Sequence, residues 1–481
     1  MKKILWIMNK YVNGAKEQAY YPFFLEYLQA DLKAKGIQLH FVIFSDLMKD
    51  FILGDNNHFY NADDFNGMTK NEIEKEAYRI EKEYAFTFKQ AWFPDILQTS
   101  KKQNGRKISV PEKELNELKP LVEKFLYLEK LIQSEKIDII FSDVSPEVEM
   151  EFGRVIGLKY NIPSLKSYEG SFLGRLVLLK HTKFGEDQLI EAIINPDYSM
   201  EEAEKFLDDY TKNEGKPSYV GVPKLTHKIS LLEKASVKLK NNGFGIIFYP
   251  FRVLYRILYI SWLWIESAVL KKILYDKFEP TKPYFFFGFH LNQESTMGLR
   301  SMPYVNQTVL VEMLARVLPY GYTLYIREHP HWPKTFPYSY LKKGKAFPNV
   351  KLLSPKISIH DILKDSSGVL VYNSNTGIEA LMHGKPVLSF ASNIYYKHHP
   401  AVIHCTNLYE LGEKLTKLIN TKVKEVDTIK YVQKLSKSSL DFNIGAALFL
   451  SKEDAKVKAV KFAQLMNQSI QRLNIEEFIV N

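Results

Sequence analysis

"VLVYNSNTGIEALMHGKPVLSF", residues 369–390, decides how the chain folds. An apolar run ends in Asn373, Ser374, Asn375 and Thr376, a short helical pattern follows, Gly384 stops it, and Pro386 leads into a second apolar run. Apolar runs without alternation suit strands covered on both faces, as in parallel sheets. Strand, helix and strand in so short a span read as one βαβ unit. The polar turn at the helix start offers backbone N–H groups and the positive end of the helix dipole, both suited to a phosphate. Glu379, one turn inside, is placed to accept hydrogen bonds from ribose hydroxyls. A plainer reading stands beside this one: Thr376 followed three residues later by Glu379 spells a capping box.

Working outward, the same alternation recurs. Before this unit come "PYFFFGF" (283–289) as a strand, "NQTVLVEMLARVLP" (306–319) as a helix, "YTLYIRE" (322–328) as a strand and "ISIHDILKDS" (357–366) as a helix. The first half follows the same plan. "KKILWIM", "QLHFVIF", "IDIIFSD" and "IPSLKSYEG" read as strands, separated by the helical patterns "FFLEYLQADLKAKG", "FLYLEKLIQSEK" and "EVEMEFGRVIGLKYN". Such alternation predicts an α/β protein with parallel sheets. A chain of 481 residues exceeds one hydrophobic core. We therefore expect two Rossmann-like domains facing a cleft. The first spans residues 1–240, with the polar stretch 50–120 as a helical insertion that shows no strand pattern. The second spans 281–435, and helices fill 436–481.

Residues 241–280 stand apart. "FGIIFYPFRVLYRILYISWLWIESAVLKKILYDKF" (244–278) is strongly apolar, but Arg252, Arg256 and Glu266 interrupt it. A membrane span needs about 20 mostly apolar residues and tolerates central arginines poorly. Arg252, Arg256 and Tyr259 fall on one narrow helical stripe. Two readings remain open: a helix lying on the inner face of a membrane, or a core helix joining the domains.

A net charge of +10 with 14% aromatic residues admits nucleic acid, anionic lipid or phosphorylated substrates as partners. The basic residues are dispersed, and neither a zinc-ligand spacing nor an RNA-binding aromatic motif occurs, so nucleic acid is set aside. A lone cysteine, Cys405, excludes an internal disulfide and fits a reducing compartment. The amino terminus reads as a first strand rather than a signal peptide. Together these features lead us to expect a cytoplasmic location, peripheral to the membrane if residues 244–278 lie on it.

Two further polar clusters follow strands of the second half. "LYIREHPHWP" (324–333) ends in Arg327, Glu328, His329, Pro330 and His331, and "FHLNQEST" (289–296) supplies His290, Gln293, Glu294 and Thr296. Each alone is an ordinary connecting loop. Open α/β sheets, however, bind ligands beyond the carboxyl ends of their strands, so all three clusters belong to one rim. His329 is positioned there to protonate or neutralise a leaving phosphate. The chain holds no Asp-x-Asp and no P-loop glycine–lysine signature. We accordingly expect no metal and no cofactor, and neither kinase nor ATPase chemistry.

From "FHLNQEST" to "LYIREHP", followed by "NSNTGIEALMHGKPVLSF", the sequence resembles the capsular polysaccharide biosynthesis family, which includes Kdo (3-deoxy-manno-octulosonate) transferases of the GT-B fold. The resemblance is good over roughly residues 284–400 and loose before that. It implies a glycosyltransferase in which His329 and Pro330, with Ser374 to Thr376, bind the donor nucleotide, and Glu379 takes the ribose. Relatives carry an acidic–acidic–Gly motif that supplies the general base. The matching stretch here is "SYEGSFLGR", with tyrosine (Tyr168) at the first acidic position and Glu169 as the catalytic candidate. The implied donor is a CMP-activated keto-acid sugar, with UDP- and GDP-sugars as alternatives because Arg327 and Lys385 can balance a second phosphate. The implied acceptor is a surface glycan or glycolipid. Rival readings are a teichoic-acid-type glycerophosphotransferase, a nucleotide-sugar epimerase and a non-catalytic assembly partner.

Overall fold

The computed structural model describes residues 1–8, 20–44, 56–65, 67–90, 118–143, 147–168, 175–181, 187–212, 258, 261–262, 265–290, 306–329, 336–391, 394–442 and 451–473. These residues form two sheets, each built on parallel strands, as the alternation of strand and helix patterns predicts.

The first sheet has the order β3-β2-β1-β4-β5-β6-β7. Its strands are β1 (Lys2–Ile7), β2 (Ile37–Ile43), β3 (Asn57–Phe59), β4 (Ile139–Asp143), β5 (Ser164–Tyr168), β6 (Val177–His181) and β7 (Asp187–Leu189). β3 through β5 pair in parallel, while β6 and β7 add antiparallel. Side chains alternate between the faces of the sheet, as the strand pleat requires. Trp6 therefore joins one core with Phe41 and Phe141, and its neighbours Leu5 and Ile7 join another. The first core is closed by α1 (Tyr21–Ala34). The second is closed by α2 (Lys70–Tyr84), α3 (Leu118–Ser134) and α4 (Val148–Lys159).

The stretch from 50 to 120 departs from expectation. β3 pairs in parallel with β2 and extends the sheet, and Ile73, Ala77, Ile80 and Tyr84 of α2 are buried in its core. A three-residue strand has no periodicity to read, and the high charge of α2 masks a narrow apolar stripe. Residues 91–117 lie outside the described residues.

The second sheet has the order β10-β9-β8-β11-β12-β13, and every pairing is parallel. Its strands are β8 (Tyr284–Gly288), β9 (Thr323–Arg327), β10 (Val350–Leu353), β11 (Gly368–Val371), β12 (Val387–Ser389) and β13 (Val402–His404). Phe285 and Phe287 face one layer, while Tyr284 and Phe286 face the other.

Two elements cross between the units. Helix α5 (Met200–Lys212) comes from the first half, yet Ala203, Phe206, Leu207 and Tyr210 join the core of the second unit, with Val369 and Val371 of β11 and with Ile378 and Leu381 of the helix that follows it. On the second sheet follow α6 (Gln307–Val317), α7 (Tyr338–Gly344), α8 (Ile359–Lys364), α9 (Asn375–Met382), α10 (Leu411–Asn420) and α11 (Glu425–Lys437). Helix α12 (Lys452–Gln471) then returns to the first sheet, where Phe462 lies 6.0 Å from Trp6 between ring centroids. Leu176 and Leu440 exchange backbone hydrogen bonds of 2.9–3.0 Å at this return.

Candidate active site

Strand order alone points to the site. The chain runs from β8 to β10 in one direction, then resumes beside β8 with β11 and winds the other way. β8 and β11 therefore flank the topological switch point, where diverging connections leave a crevice at the carboxyl ends. A cavity of about 370 Å³ opens there.

Nine of the residues singled out in the second half line this cavity: His290, Arg327, Glu328, His329, Asn373, Ser374, Asn375, Thr376 and Glu379. Glu169, Gln293, Glu294 and Pro330 lie outside the described residues, as do Thr296 and His331. One wall comes from the other unit, because Tyr168 at the end of β5 also lines the cavity and packs 5.5 Å from Tyr395 between ring centroids.

Strand alternation sorts the Arg-Glu-His cluster. Arg327 donates to the Ile357 carbonyl at 2.7 Å, and its guanidinium lies 5.7 Å from the centroid of the Phe286 ring. Burial pulls Arg327 down to about 10 against the attraction of Glu379, so it remains a cation at neutral pH. Glu328 instead ion-pairs with Lys271 at 2.6 Å and accepts from the Tyr275 hydroxyl at 2.9 Å. Its role is to fasten the chain before β8 to the end of β9.

His290 is held by its backbone. Its N–H donates to Gln307 Oε1 at 2.8 Å, and Gln307 Nε2 donates back to the His290 carbonyl at 2.7 Å. Burial, reinforced by His329 nearby, pushes the imidazole down to about 3. His290 can therefore offer a ligand a hydrogen bond at neutral pH, but no positive charge.

The start of α9 corrects the capping reading. Ser374 is the N-cap, and its Oγ accepts from the Thr376 N–H at 3.2 Å. Thr376 is thus inside the helix, so Glu379 stands beyond the capping-box position. Glu379 instead receives a hydrogen bond from Tyr210 of α5 and feels the charge of Arg327. Burial raises its carboxyl above the usual range, with those two partners acting in opposition. Tyr210 escaped the sequence reading. The stripe Ala203, Phe206, Leu207 and Tyr210 signals a helix, but not the surface it covers.

Behind α9, the Tyr396 hydroxyl donates to the Ser374 carbonyl, and Tyr395 donates to Asn375 Oδ1 at 3.3 Å. A Cβ on Gly377 would lie 2.1 Å from the Tyr396 hydroxyl oxygen, so glycine permits this close seating. Gly384 ends the helical segment at φ +67, as its place in the sequence predicts.

Two Rossmann-like α/β units around one cleft, with the polar rim on the second, give this chain the GT-B type of architecture. The family model described as "Capsule polysaccharide biosynthesis protein" matches residues 256–425. That stretch carries the whole second sheet, so the likeness to this family covers the second unit. No curated protein matches the chain. Among solved structures, the chain is similar to the beta Kdo 2,4 transferase KpsC of Thermosulfurimonas dismutans, at 16% identity over 62% of this chain and 88% of that one, TM-score 0.34. It is also similar to a glycosyltransferase of Rickettsia africae (11%, 98% and 99%, 0.30). A third similar structure is the UDP-GlcNAc 2-epimerase of Methanocaldococcus jannaschii in complex with UDP-GlcNAc and UDP (11%, 90% and 98%, 0.26). At these TM-scores the likenesses carry no argument about chemistry.

Proposed function

We propose that the chain is a metal-independent glycosyltransferase that moves a sugar from a nucleotide donor to a surface polysaccharide or glycolipid. The observation that carries this reading is the convergence, in one cavity at the switch point, of the α9 amino terminus, Arg327, His329 and Glu379. The α9 terminus and Thr376 would hold the phosphate, with Arg327 balancing its charge. Glu379 would take the ribose hydroxyls and His329 the leaving oxygen. Glu169 would deprotonate the acceptor hydroxyl, and an oxocarbenium-like transition state would be met by these fixed charges. The division into an acceptor unit before residue 240 and a donor unit after residue 280 belongs to the same reading, as does catalysis at the inner face of the membrane. The donor we favour is a CMP-activated keto-acid sugar, on the strength of the His329–Pro330 pair and the Ser374–Thr376 turn.

The test is to titrate CMP, CDP, UDP and GDP against the protein and against Ser374→Ala. The reading expects CMP to bind most tightly and Ser374→Ala to weaken it. Tighter binding of UDP or GDP removes the keto-acid donor and leaves sugar transfer standing. Failure of all four nucleotides overturns the site. Transfer that persists in excess EDTA supports metal independence, and release of an epimerised nucleotide sugar without acceptor would make the protein an epimerase.

A further inference from the structure

The segment before β8 presents an apolar face with no protein partner among the described residues. It is helical at Leu258, Ser261, Trp262 and Ile265, continues as a π-helix over Glu266–Leu270, and ends in one α-turn, Lys271–Leu274. Leu258 (61% exposed), Trp262 (48%), Ile265, Val269 and Ile273 (73%) all project to solvent. Their spacing of three and four residues places them on one helical stripe. The basic stripe expected from the sequence, Arg252, Arg256 and Tyr259, lies outside the described residues.

The opposite side of the segment is bonded inward. Glu266 Oε1 accepts the Tyr338 N–H at 2.7 Å, Lys271 pairs with Glu328, and Leu274 is buried beneath the second sheet. Glu266 is the only acidic residue between positions 258 and 275, and it is buried. Beside Ile273 of the stripe, Lys272 is exposed. Over 258–275 the described outward face is thus apolar, with one exposed lysine, no exposed acid and an indole. Tryptophan and lysine are the residues that favour the boundary between acyl chains and head groups. No described helix is long and apolar enough to cross a membrane.

We propose that the stripe Leu258, Trp262, Ile265, Val269 and Ile273 is a docking surface for an anionic lipid bilayer, entered from one side and not spanned. Because Lys271 and Glu266 anchor the same segment to the ends of β9 and α7, docking would hold the cavity at a set attitude to the membrane. This names the surface for the membrane-face location in the proposed function and rests on that part of the reading; it does not depend on the identity of the donor, and its test needs no turnover.

The experiment is flotation with vesicles of phosphatidylcholine and phosphatidylglycerol at low salt, against vesicles of phosphatidylcholine alone. The wild type is expected to float with the anionic vesicles and to lose most of that binding at high salt. Trp262→Ser/Val269→Ser/Ile273→Ser should lower the bound fraction by about tenfold or more, with an unchanged melting profile. The control Tyr320→Ser/Tyr409→Ser, at exposed aromatics elsewhere, should float like the wild type. If the triple variant melts early, Ile273→Ser alone serves, since that side chain is largely in solvent. A wild type that stays unbound at low salt overturns the proposal, and so do variants that float undiminished. A dimer that the triple variant dissociates, without flotation, would assign the face to a second copy of the chain instead.

Discussion

Lys271 Nζ lies 2.6 Å from Glu328 Oε1, with the two side chains 1% and 0% exposed. The residues come from separate elements, and Glu328 lines the cavity together with its neighbours Arg327 and His329. Burial pushes the Glu328 carboxyl up to about 7, against the pull of Lys271 and the Tyr275 hydroxyl. The pair couples the segment before β8 to the rim of the site.

Breaking this pair on one side should be costly. Lys271→Met leaves Glu328 buried without its cation, and such a loss costs about 3–5 kcal/mol. The double variant Lys271→Met/Glu328→Leu should recover most of that. Urea unfolding of the two proteins checks this, and equal stability of single and double variants would contradict it.

Stability should fall on acidification below neutral pH. Burial lowers His399 to about 4 and His290 to about 3, and lowers His383, beside His360, to about 4. At these three histidines the unfolded chain binds protons from pH 6.5 downward while the folded chain does not; the raised carboxyls of Glu328 and Glu379 act the other way, two groups against three, so stability rises with pH across this window. His360 Nδ1 and His383 Nε2 lie 2.7 Å apart, which requires one neutral nitrogen as acceptor. Melting temperatures at pH 7.0, 5.5 and 4.5 should decline in that order, and His383→Gln should flatten the decline.

Gly377→Ala should disturb the site through packing. The new methyl would meet the Tyr396 ring and hydroxyl, whereas at Gly412 in α10 nothing lies within 4 Å. Overpacking costs about 1–3 kcal/mol, while Gly412→Ala in a helix should be neutral or stabilising by up to about 1 kcal/mol. Nucleotide titration should show weakened binding for Gly377→Ala alone. Equal affinities would detach the seating of α9 from ligand binding.

His329→Ala tests the proposed chemistry. A placed acid or base is worth about 10²- to 10⁴-fold in rate, so turnover should drop by that range with the melting profile intact. Unchanged turnover would remove His329 from the reaction.

Local pattern carried much of this architecture. "PYFFFGF" and "VLVYN" are apolar without alternation because β8 and β11 are buried on both faces, and that is a property of each segment alone. The polar clusters after these strands were legible for the same reason: a strand end and the loop beside it are adjacent in sequence. The parallel alternation also implied a rim beyond the carboxyl ends of the strands that gathers His290, Arg327, His329 and Ser374, whereas the switch point came from the strand order. What tertiary structure decided were pairings across long sequence separation. α5 lies on the second sheet and α12 on the first, so Tyr210 reaches Glu379 and Phe462 reaches Trp6. Lys271 finds Glu328 across 57 positions. A charge or an apolar stripe in the sequence states that a partner is needed, but not which one. That choice follows from which surfaces can close together without leaving a void or an unpaired buried charge. The N-cap of α9 shows the same limit at short range. Ser374 and Thr376 are both competent caps, and Ser374 takes the role where Tyr396, 22 residues away, holds its carbonyl.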